Sequence, residues 1–143
     1  MTRILALDVG EKRIGLAISD GLGWTAQGLP TLSGEDKDKA ICAIAEIVRE
    51  RQVTEIVLGM PLNMDGTPGK RAKETALFLE DLKKEIPLPI KTWDERLSSA
   101  QAQRLMLEAD LSRKKRKKKV DRLAAQLILQ SYLDAKNVQK NHS

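Results

Sequence analysis

The sequence predicts an α/β fold in which one mixed β-sheet carries helices on both faces. Short apolar runs, typical of buried strands, alternate with longer segments whose apolar residues have helical spacing. Three predicted strands come before the first predicted helix, and each later strand is followed by a helix. The chain of 143 residues has the length of one ordinary domain. We therefore expect a single domain over residues 1–143.

The first half of the chain predicts a β-hairpin, a third strand and a helix. Residues 3–9 are as apolar as a buried strand, "GEKR" is typical of a turn, and residues 14–19 have alternating apolar positions. A third strand, interrupted by a glycine and a proline, is expected over residues 25–32. The serine and acids of "SGEDKD" favour the start of a helix, and the apolar positions that follow keep helical spacing.

The second half of the chain predicts two more strands, each followed by helical segments. Residues 55–60, "EIVLGM", form a short apolar run that a proline ends, and the loop "PLNMDGTPG" leads into a helix over residues 70–85. A strand over residues 90–93 continues directly into "DERLSS". Helices are expected over residues 100–109 and 120–135.

The segment "DGTPGKR" matches a phosphate-binding loop only in part. Met64 stands where that motif requires glycine, and Arg71 stands where it requires serine or threonine. We interpret the segment as a turn that leads into the helix.

The positive charge of the chain is concentrated in one segment. The net charge is +5, and the run "RKKRKKK" alone contributes more than this, so the rest of the chain is mildly acidic. Such a run attracts polyanions such as nucleic acid phosphates, and its self-repulsion predicts a mobile loop over residues 110–119. We also expect a disordered tail over residues 137–143. The basic block comprises Arg113, Lys114, Lys115, Arg116, Lys117, Lys118 and Lys119.

The composition excludes several classes of chemistry. Cys42 is the only cysteine, which excludes a disulfide framework and a zinc knuckle within one chain. His142 is the only histidine and lies near the end of the chain, so catalysis by Ser-His or Cys-His pairs is not expected. The sequence has no apolar stretch that could span a bilayer and no secretory pattern, so we expect no membrane partner and a cytoplasmic location.

Asp8 is the first candidate for chemistry, because it interrupts the apolar run of the first strand. A buried carboxylate costs several kcal/mol, roughly, unless a partner or a cation compensates it. Its position near the end of the strand, before Gly10, predicts that it lies at the rim of the sheet. The alternative is that Asp8 caps the turn through backbone N–H groups.

Two further acidic positions stand beside predicted strands and helices. In "WDER", continued strand geometry would place Asp94 and Glu95 on opposite faces, so only one of them can join Asp8, and the pattern does not choose between them. A helix cap at this junction is the alternative. Asp121 flanks the apolar stripe of the last helix, where an aspartate near a helix start can also stabilise the helix dipole.

Together, three acids in a chain without a usable histidine predict a divalent-metal site. Clusters of carboxylate oxygens suit Mg²⁺ or Mn²⁺. Two such ions about 4 Å apart can activate a water and stabilise the leaving oxygen of a phosphodiester without a side-chain base. A metal ion would also offset the charge of Asp8.

Four ordered segments make the chain similar to the YqgF/RuvX family of pre-16S rRNA nucleases, which are related to Holliday junction resolvases. The segments are "LALDVGEKRIGLAISD", "VLGMPLNMDGT", "WDERLSS" and "RKKKVDRLAAQLILQSYL", and the resemblance runs from Arg3 to about Ala135. It implies an RNase H-like fold with a five-stranded mixed sheet in the order 3-2-1-4-5. It also implies that the acidic set is Asp8, Glu95 and Asp121, which selects Glu95 over Asp94 by analogy.

The resemblance implies metal-dependent phosphodiester cleavage of a structured RNA, on the 5′ side of the 16S rRNA precursor. The alternatives are a resolvase that acts on branched DNA, and an RNA-binding ribosome assembly factor that keeps the fold without catalysis. A monomer and a homodimer both remain open. Beside the basic block, we expect Lys12, Arg13 and Arg96 to contact phosphate. The alternatives are that Lys12 and Arg13 are solvated turn residues and that Arg96 pairs with a neighbouring acid.

Overall fold

The structure, a computed structural model, describes residues 2–98 and 113–142, and describes the side chains of residues 2–98 and 123–137. The helix expected over residues 100–109 lies outside this part of the chain. A short 3₁₀ helix, Glu95–Leu97, directly follows the last strand. The strands are β1 (Ile4–Val9), β2 (Arg13–Ser19), β3 (Ala26–Ser33), β4 (Glu55–Met60) and β5 (Ile90–Asp94), and the helices are α1 (Lys37–Glu50), α2 (Lys70–Glu85) and α3 (Arg113–His142).

The five strands form one mixed sheet in the order β3-β2-β1-β4-β5, as expected. Strand β1 lies at its centre. It pairs antiparallel with β2, where Asp8 is opposite Gly15, and parallel with β4, where Leu7 is opposite Leu58. Strand β5 continues the parallel half of the sheet beside β4. The carboxyl ends of β1, β4 and β5 therefore meet at one rim of the sheet.

Helices cover both faces of the sheet, which confirms the predicted architecture. Alternate residues of the strands point to opposite faces, so each strand contributes to two cores. Helices α1 and α2 cover one face, and α3 covers the other. The core under α3 contains larger side chains, such as Leu129 and Tyr132, together with small and β-branched residues that let the helix approach closely: Ile4, Ala6, Ala17, Ala26, Val57, Ala124, Ala125 and Ile128.

Helix α3 crosses its face in the direction opposite to β1 and β4. Ile128 lies against Gly59, close to the end of β4. One turn later, the hydroxyl of Tyr132 donates a 2.6 Å hydrogen bond to Oε1 of Glu55, at the start of β4. Residues of α3 that precede Ile128 therefore lie progressively closer to the rim at the carboxyl ends of the parallel strands.

The bounds of α3 differ from the prediction. The expected helix covered residues 120–135, with a mobile loop before it and a disordered tail after it, whereas the structure has helix from Arg113 to His142. Lysine and arginine are good helix formers, and extending an existing helix costs far less than starting one. These two preferences favour helix over residues 113–119 in spite of the mutual repulsion of the basic block. The mobility expected of this segment and the disorder expected of the tail stay predictions. In the described part of the chain, no helix is both long and apolar enough to cross a membrane.

Candidate active site

Asp8 lies at the rim of the sheet, one residue before the end of the central strand. Its side chain is 3% exposed and shares the α3 face with Ala6. On one side, Asp8 is opposite Gly15 of β2. On the other, the parallel register continued by one residue places it beside Gly59 of β4. Because both neighbours are glycines, no side chain from the adjacent strand positions flanks this carboxylate.

Glu95 reaches the same face from the far side of β4. It follows β5 directly and is fully buried. A Cβ added to Gly59 would lie 3.3 Å from Cγ of Glu95 and 2.6 Å from Cδ1 of Ile128, so both side chains cross over this glycine. Adjacent strands are about 4.8 Å apart, and Gly59 is the neighbour of Asp8. The structure therefore brings Asp8 and Glu95 together at the rim, under α3.

Asp94 has a different role from Glu95. Its Oδ1 accepts a 2.9 Å hydrogen bond from the backbone N–H of Arg96 and so caps the 3₁₀ helix, and its Oδ2 lies 2.7 Å from Nη2 of Arg96. These hydrogen bonds from Arg96 hold the pKa of Asp94 below its usual range. The cap that the sequence offered as an alternative is therefore present, and it is made by Asp94, while Glu95 turns to the face of Asp8.

The third predicted acid, Asp121, lies in α3, and its side chain is outside the described part of the chain. Its backbone position is seven residues before Ile128, about 10 Å further along the helix axis towards the rim. Among the described side chains there is no group of three that could hold a metal ion. The ligand set Asp8, Glu95 and Asp121 therefore stays a prediction.

Arg71 is a residue of this site that the sequence analysis missed. From the first turn of α2, its Nη2 lies 3.7 Å from Oδ1 of Asp8 and donates a long hydrogen bond of 3.4 Å to the backbone carbonyl of Val9. The sequence feature that could have indicated this role is an arginine in the first turn of the helix that follows β4, because β4 is the strand next to β1. Arg71 thus supplies positive charge beside the buried carboxylate that the sequence singled out.

Of the predicted phosphate contacts, Arg13 lies on the same face of the sheet as Asp8. It is the first residue of β2, two positions before Gly15, so the strand places it on the same face as Asp8. Its Nη1 is buried and has no hydrogen-bond partner among the described residues. Lys12 is exposed in the turn before it, and the side chains of the basic block, residues 113–119, lie outside the described part.

Arg96 takes the second of the two roles that the sequence left open for it. Besides its hydrogen bonds to Asp94, its Nη1 donates a 3.1 Å hydrogen bond to the backbone carbonyl of Met64. The guanidinium also lies against Gly66, whose positive φ of 89° favours glycine. Arg96 therefore ties the loop after β4 to the end of β5.

Comparison with known proteins gives concordant results. The family model RuvX, described as "Holliday junction resolvase", matches residues 2–135. A protein of Syntrophomonas wolfei is 51% identical over 140 residues, which are 98% of this chain and 99% of that protein, and one of Desulforamulus reducens is 50% identical over 133 residues, 93% and 97% of the two chains. Both are named "Putative pre-16S rRNA nuclease".

Solved structures of resolvases are similar in fold. RuvC of T. thermophilus in complex with a Holliday junction substrate has a TM-score of 0.60 at 12% identity, over 94% of this chain and 96% of that one. The Fowlpox virus resolvase in complex with Holliday junction DNA has a TM-score of 0.51 at 14% identity, over 94% and 98%. At these identities the likeness shows the fold alone. It confirms the RNase H-like fold that the sequence resemblance implied.

Proposed function

Because the chain belongs to the RuvX family, we propose that it is a metal-dependent endonuclease that hydrolyses phosphodiester bonds in the 5′ region of pre-16S rRNA. The observation that carries the proposal is the meeting of Asp8 and Glu95, two nearly inaccessible carboxylates, on one face of the sheet around Gly59. Two acids brought together in a core oppose folding through their desolvation and mutual repulsion. Divalent cations bound by the two carboxylates would offset this repulsion, so the arrangement is the one expected of a metal site.

The chemistry of the residues fits Mg²⁺ or Mn²⁺. Both metals prefer oxygen ligands, and the side chains of Asp8 and Glu95 provide carboxylate oxygens on the face where Gly15 and Gly59 present no side chain. We assign Asp121 as the third ligand, since α3 runs towards the same rim. When bound, the metal ions supply an activated water and stabilise the leaving oxygen of the phosphodiester.

The other groups of the chain bind and orient the nucleic acid. Arg13, on the face of Asp8 with its Nη1 buried, is suited to a phosphate next to the site. Lys12 and the basic block at residues 113–119 gather more distant phosphates through long-range attraction. Arg96 holds the loop after β4 in position, and its contact with phosphate stays a prediction.

We favour RNA as the substrate because two relatives that are about 50% identical to this chain are each named "Putative pre-16S rRNA nuclease". We propose the cytoplasm as the location of this chain, because a nuclease of ribosomal RNA works where ribosomes are assembled. Branched DNA is the second candidate, and the description of the family model as a Holliday junction resolvase favours it. Because a resolvase must cut two strands, the branched-DNA function also requires a homodimer. The RNA substrate is compatible with a monomer.

A parallel cleavage assay tests the proposal. Purified protein with Mn²⁺ is incubated with a pre-16S rRNA fragment that contains the 5′ leader and, separately, with a four-way DNA junction. We expect cleavage of the RNA by the wild-type protein, and cleavage at the level of the metal-free protein by Asp8→Asn and by Glu95→Gln. The matched control is Glu11→Gln, which removes an exposed carboxylate only three residues from Asp8 and should leave cleavage unchanged.

Each other outcome has a definite meaning. Cleavage of the four-way junction alone selects the resolvase function. Equal cleavage by wild type and Asp8→Asn contradicts the assigned site and indicates a contaminating nuclease. RNA binding that persists in chelator, without cleavage under any metal, supports the non-catalytic assembly factor.

A further inference from the structure

Arg71 is held loosely beside Asp8. The distance of 3.7 Å between Nη2 and Oδ1 is longer than a hydrogen bond, and the 3.4 Å contact with the carbonyl of Val9 is at the long end for one. The Arg71 side chain is 45% exposed, whereas that of Asp8 is 3% exposed. A guanidinium carries five N–H donors, and these two long contacts leave most of its capacity for another partner.

An anion that approaches Asp8 from the side of α2 meets Arg71. The loop after β4 and the start of α2 enclose a cleft of about 380 Å³, whose walls include Leu62, Asn63 and Arg71. The first turn of α2 contains no acidic residue, so nothing in that turn competes with a bound anion for the guanidinium. Lys70, the neighbouring cation, is 86% exposed and lies 4.0 Å from Glu74.

We propose that Arg71 exchanges partners during the reaction cycle: it neutralises Asp8 in the metal-free protein and donates to the phosphodiester when nucleic acid and metal are bound. The inference rests on the proposed function, because the phosphodiester is the substrate of the same site. With a divalent cation held by Asp8, Arg71 would be repelled from that carboxylate and attracted to a phosphate that enters the same site. Arginine suits this exchange because its planar fork matches both carboxylate and phosphate.

Metal affinity provides the first test, and it does not depend on activity. In the absence of nucleic acid, Arg71→Ala removes a positive charge from beside the metal ligand Asp8. We expect isothermal titration to show that Mn²⁺ binds about 3- to 10-fold more tightly to Arg71→Ala than to the wild type, a range appropriate to a partly exposed pair. Lys70→Ala, which removes a charge from the adjacent residue without touching Asp8, should bind Mn²⁺ like the wild type.

Salt dependence of nucleic acid binding provides the second test. Binding of the RNA fragment is measured with Ca²⁺ in place of Mn²⁺, and gels verify that the RNA stays intact. Loss of one phosphate contact in Arg71→Ala should reduce the slope of log K against log salt by about 1. Arg71→Lys keeps the charge and should retain the wild-type slope and Mn²⁺ affinity, and circular dichroism checks that each variant is folded.

The outcomes separate this inference from the proposed function. If Asp8→Asn abolishes cleavage but Arg71→Ala has the Mn²⁺ affinity and the salt slope of Lys70→Ala, the exchange is wrong and the nuclease stands. Weaker Mn²⁺ binding by Arg71→Ala also overturns the exchange, because Arg71 would then support the metal site. If Asp8→Asn cleaves like the wild type, the nuclease site itself is wrong.

Discussion

At the scale of single residues, the candidate site depends on Gly59 as much as on its acids. Every other residue of β4 carries a side chain, and at this position a side chain on the α3 face would occupy the space used by Ile128 and Glu95. The absence of a Cβ thus permits two things at once: close approach of α3 and passage of the Glu95 carboxylate towards Asp8. The glycine before the last residue of "EIVLGM" is therefore part of the site.

Gly59→Ala should separate these two effects. The new Cβ would overlap Cδ1 of Ile128 at 2.6 Å and press on Cγ of Glu95 at 3.3 Å. We expect the free energy of unfolding in urea to fall by about 1–3 kcal/mol, as in other overpacked cores, and cleavage to fall with it. Adding Ile128→Val removes Cδ1, so stability should partly recover while cleavage does not. Recovery of both would show that the contact with Glu95 does not matter.

At the scale of elements, a buried polar cluster anchors α3 to the sheet at the end opposite to the candidate site. Glu55 accepts hydrogen bonds from Tyr132 and Lys136 of α3, and Lys91 of β5 lies 3.1 Å from the same carboxylate. The ring of Tyr132 packs edge-on against Trp93. Because the cluster sets the direction of α3 across the sheet, it also determines which end of the helix reaches the rim.

The cluster predicts a pH-dependent contribution to stability. Burial raises the pKa of Glu55, but hydrogen bonds from Tyr132, Lys91 and Lys136 outweigh burial and lower it below its usual value. The stabilisation is then complete above the unfolded-state pKa of about 4.3 and is lost as the pH falls through the lower folded-state pKa. We expect Glu55→Gln to reduce the free energy of unfolding at pH 7 by about 2 kcal/mol.

Urea unfolding of wild type and Glu55→Gln at pH 7 and pH 3 measures this contribution. The difference between the two proteins should shrink at pH 3, which lies below the unfolded-state pKa of about 4.3, because protonation of Glu55 in the unfolded chain then favours unfolding of the wild type. Glu50→Gln, at the exposed end of α1, serves as the matched control and should show little difference at either pH. A penalty for Glu55→Gln that is the same at both pH values would contradict the ionic role of Glu55.

At the scale of the whole molecule, charge is distributed so that the basic block and the acidic site lie towards the same end. The block forms the first turns of α3, and α3 runs past Gly59 towards the carboxyl rim of the sheet. Along the helix axis, residues 113–119 lie about 13 to 22 Å beyond Ile128. A polyanion drawn to the block is thereby brought near the rim that holds Asp8 and Glu95.

Replacing the four central lysines of the block tests this distribution. We expect the slope of log K against log salt for the RNA fragment to fall by about 3 to 4, one unit for each lost phosphate contact. Fluorescence anisotropy at several salt concentrations measures the slope. An unchanged slope would show that the block does not touch phosphate. The variant carries Lys114→Ala, Lys115→Ala, Lys117→Ala and Lys118→Ala.

Features of the chain that depend on neighbours in sequence were predicted from the sequence alone. The bounds of β4 and α2 match the expectation, because a proline ends one apolar run and "PLNMDGTPG" sets the start of the other element. The order of strands and helices, and Asp8 near the end of β1, follow from the same local patterns. Apolar periodicity and turn residues act over a few residues, so they can be read without the fold.

Only the tertiary structure decided the features that depend on residues distant in sequence. Asp94 and Glu95 are equivalent in pattern, and before the structure only the family resemblance selected Glu95. In the structure, Glu95 passes over Gly59 on the face of Asp8, while Asp94 pairs with Arg96. Arg71 reaches Asp8 across the rim between two elements that are far apart in the chain. The physical reason is that local preferences determine where a strand ends, whereas packing of the whole sheet determines which side chains meet there.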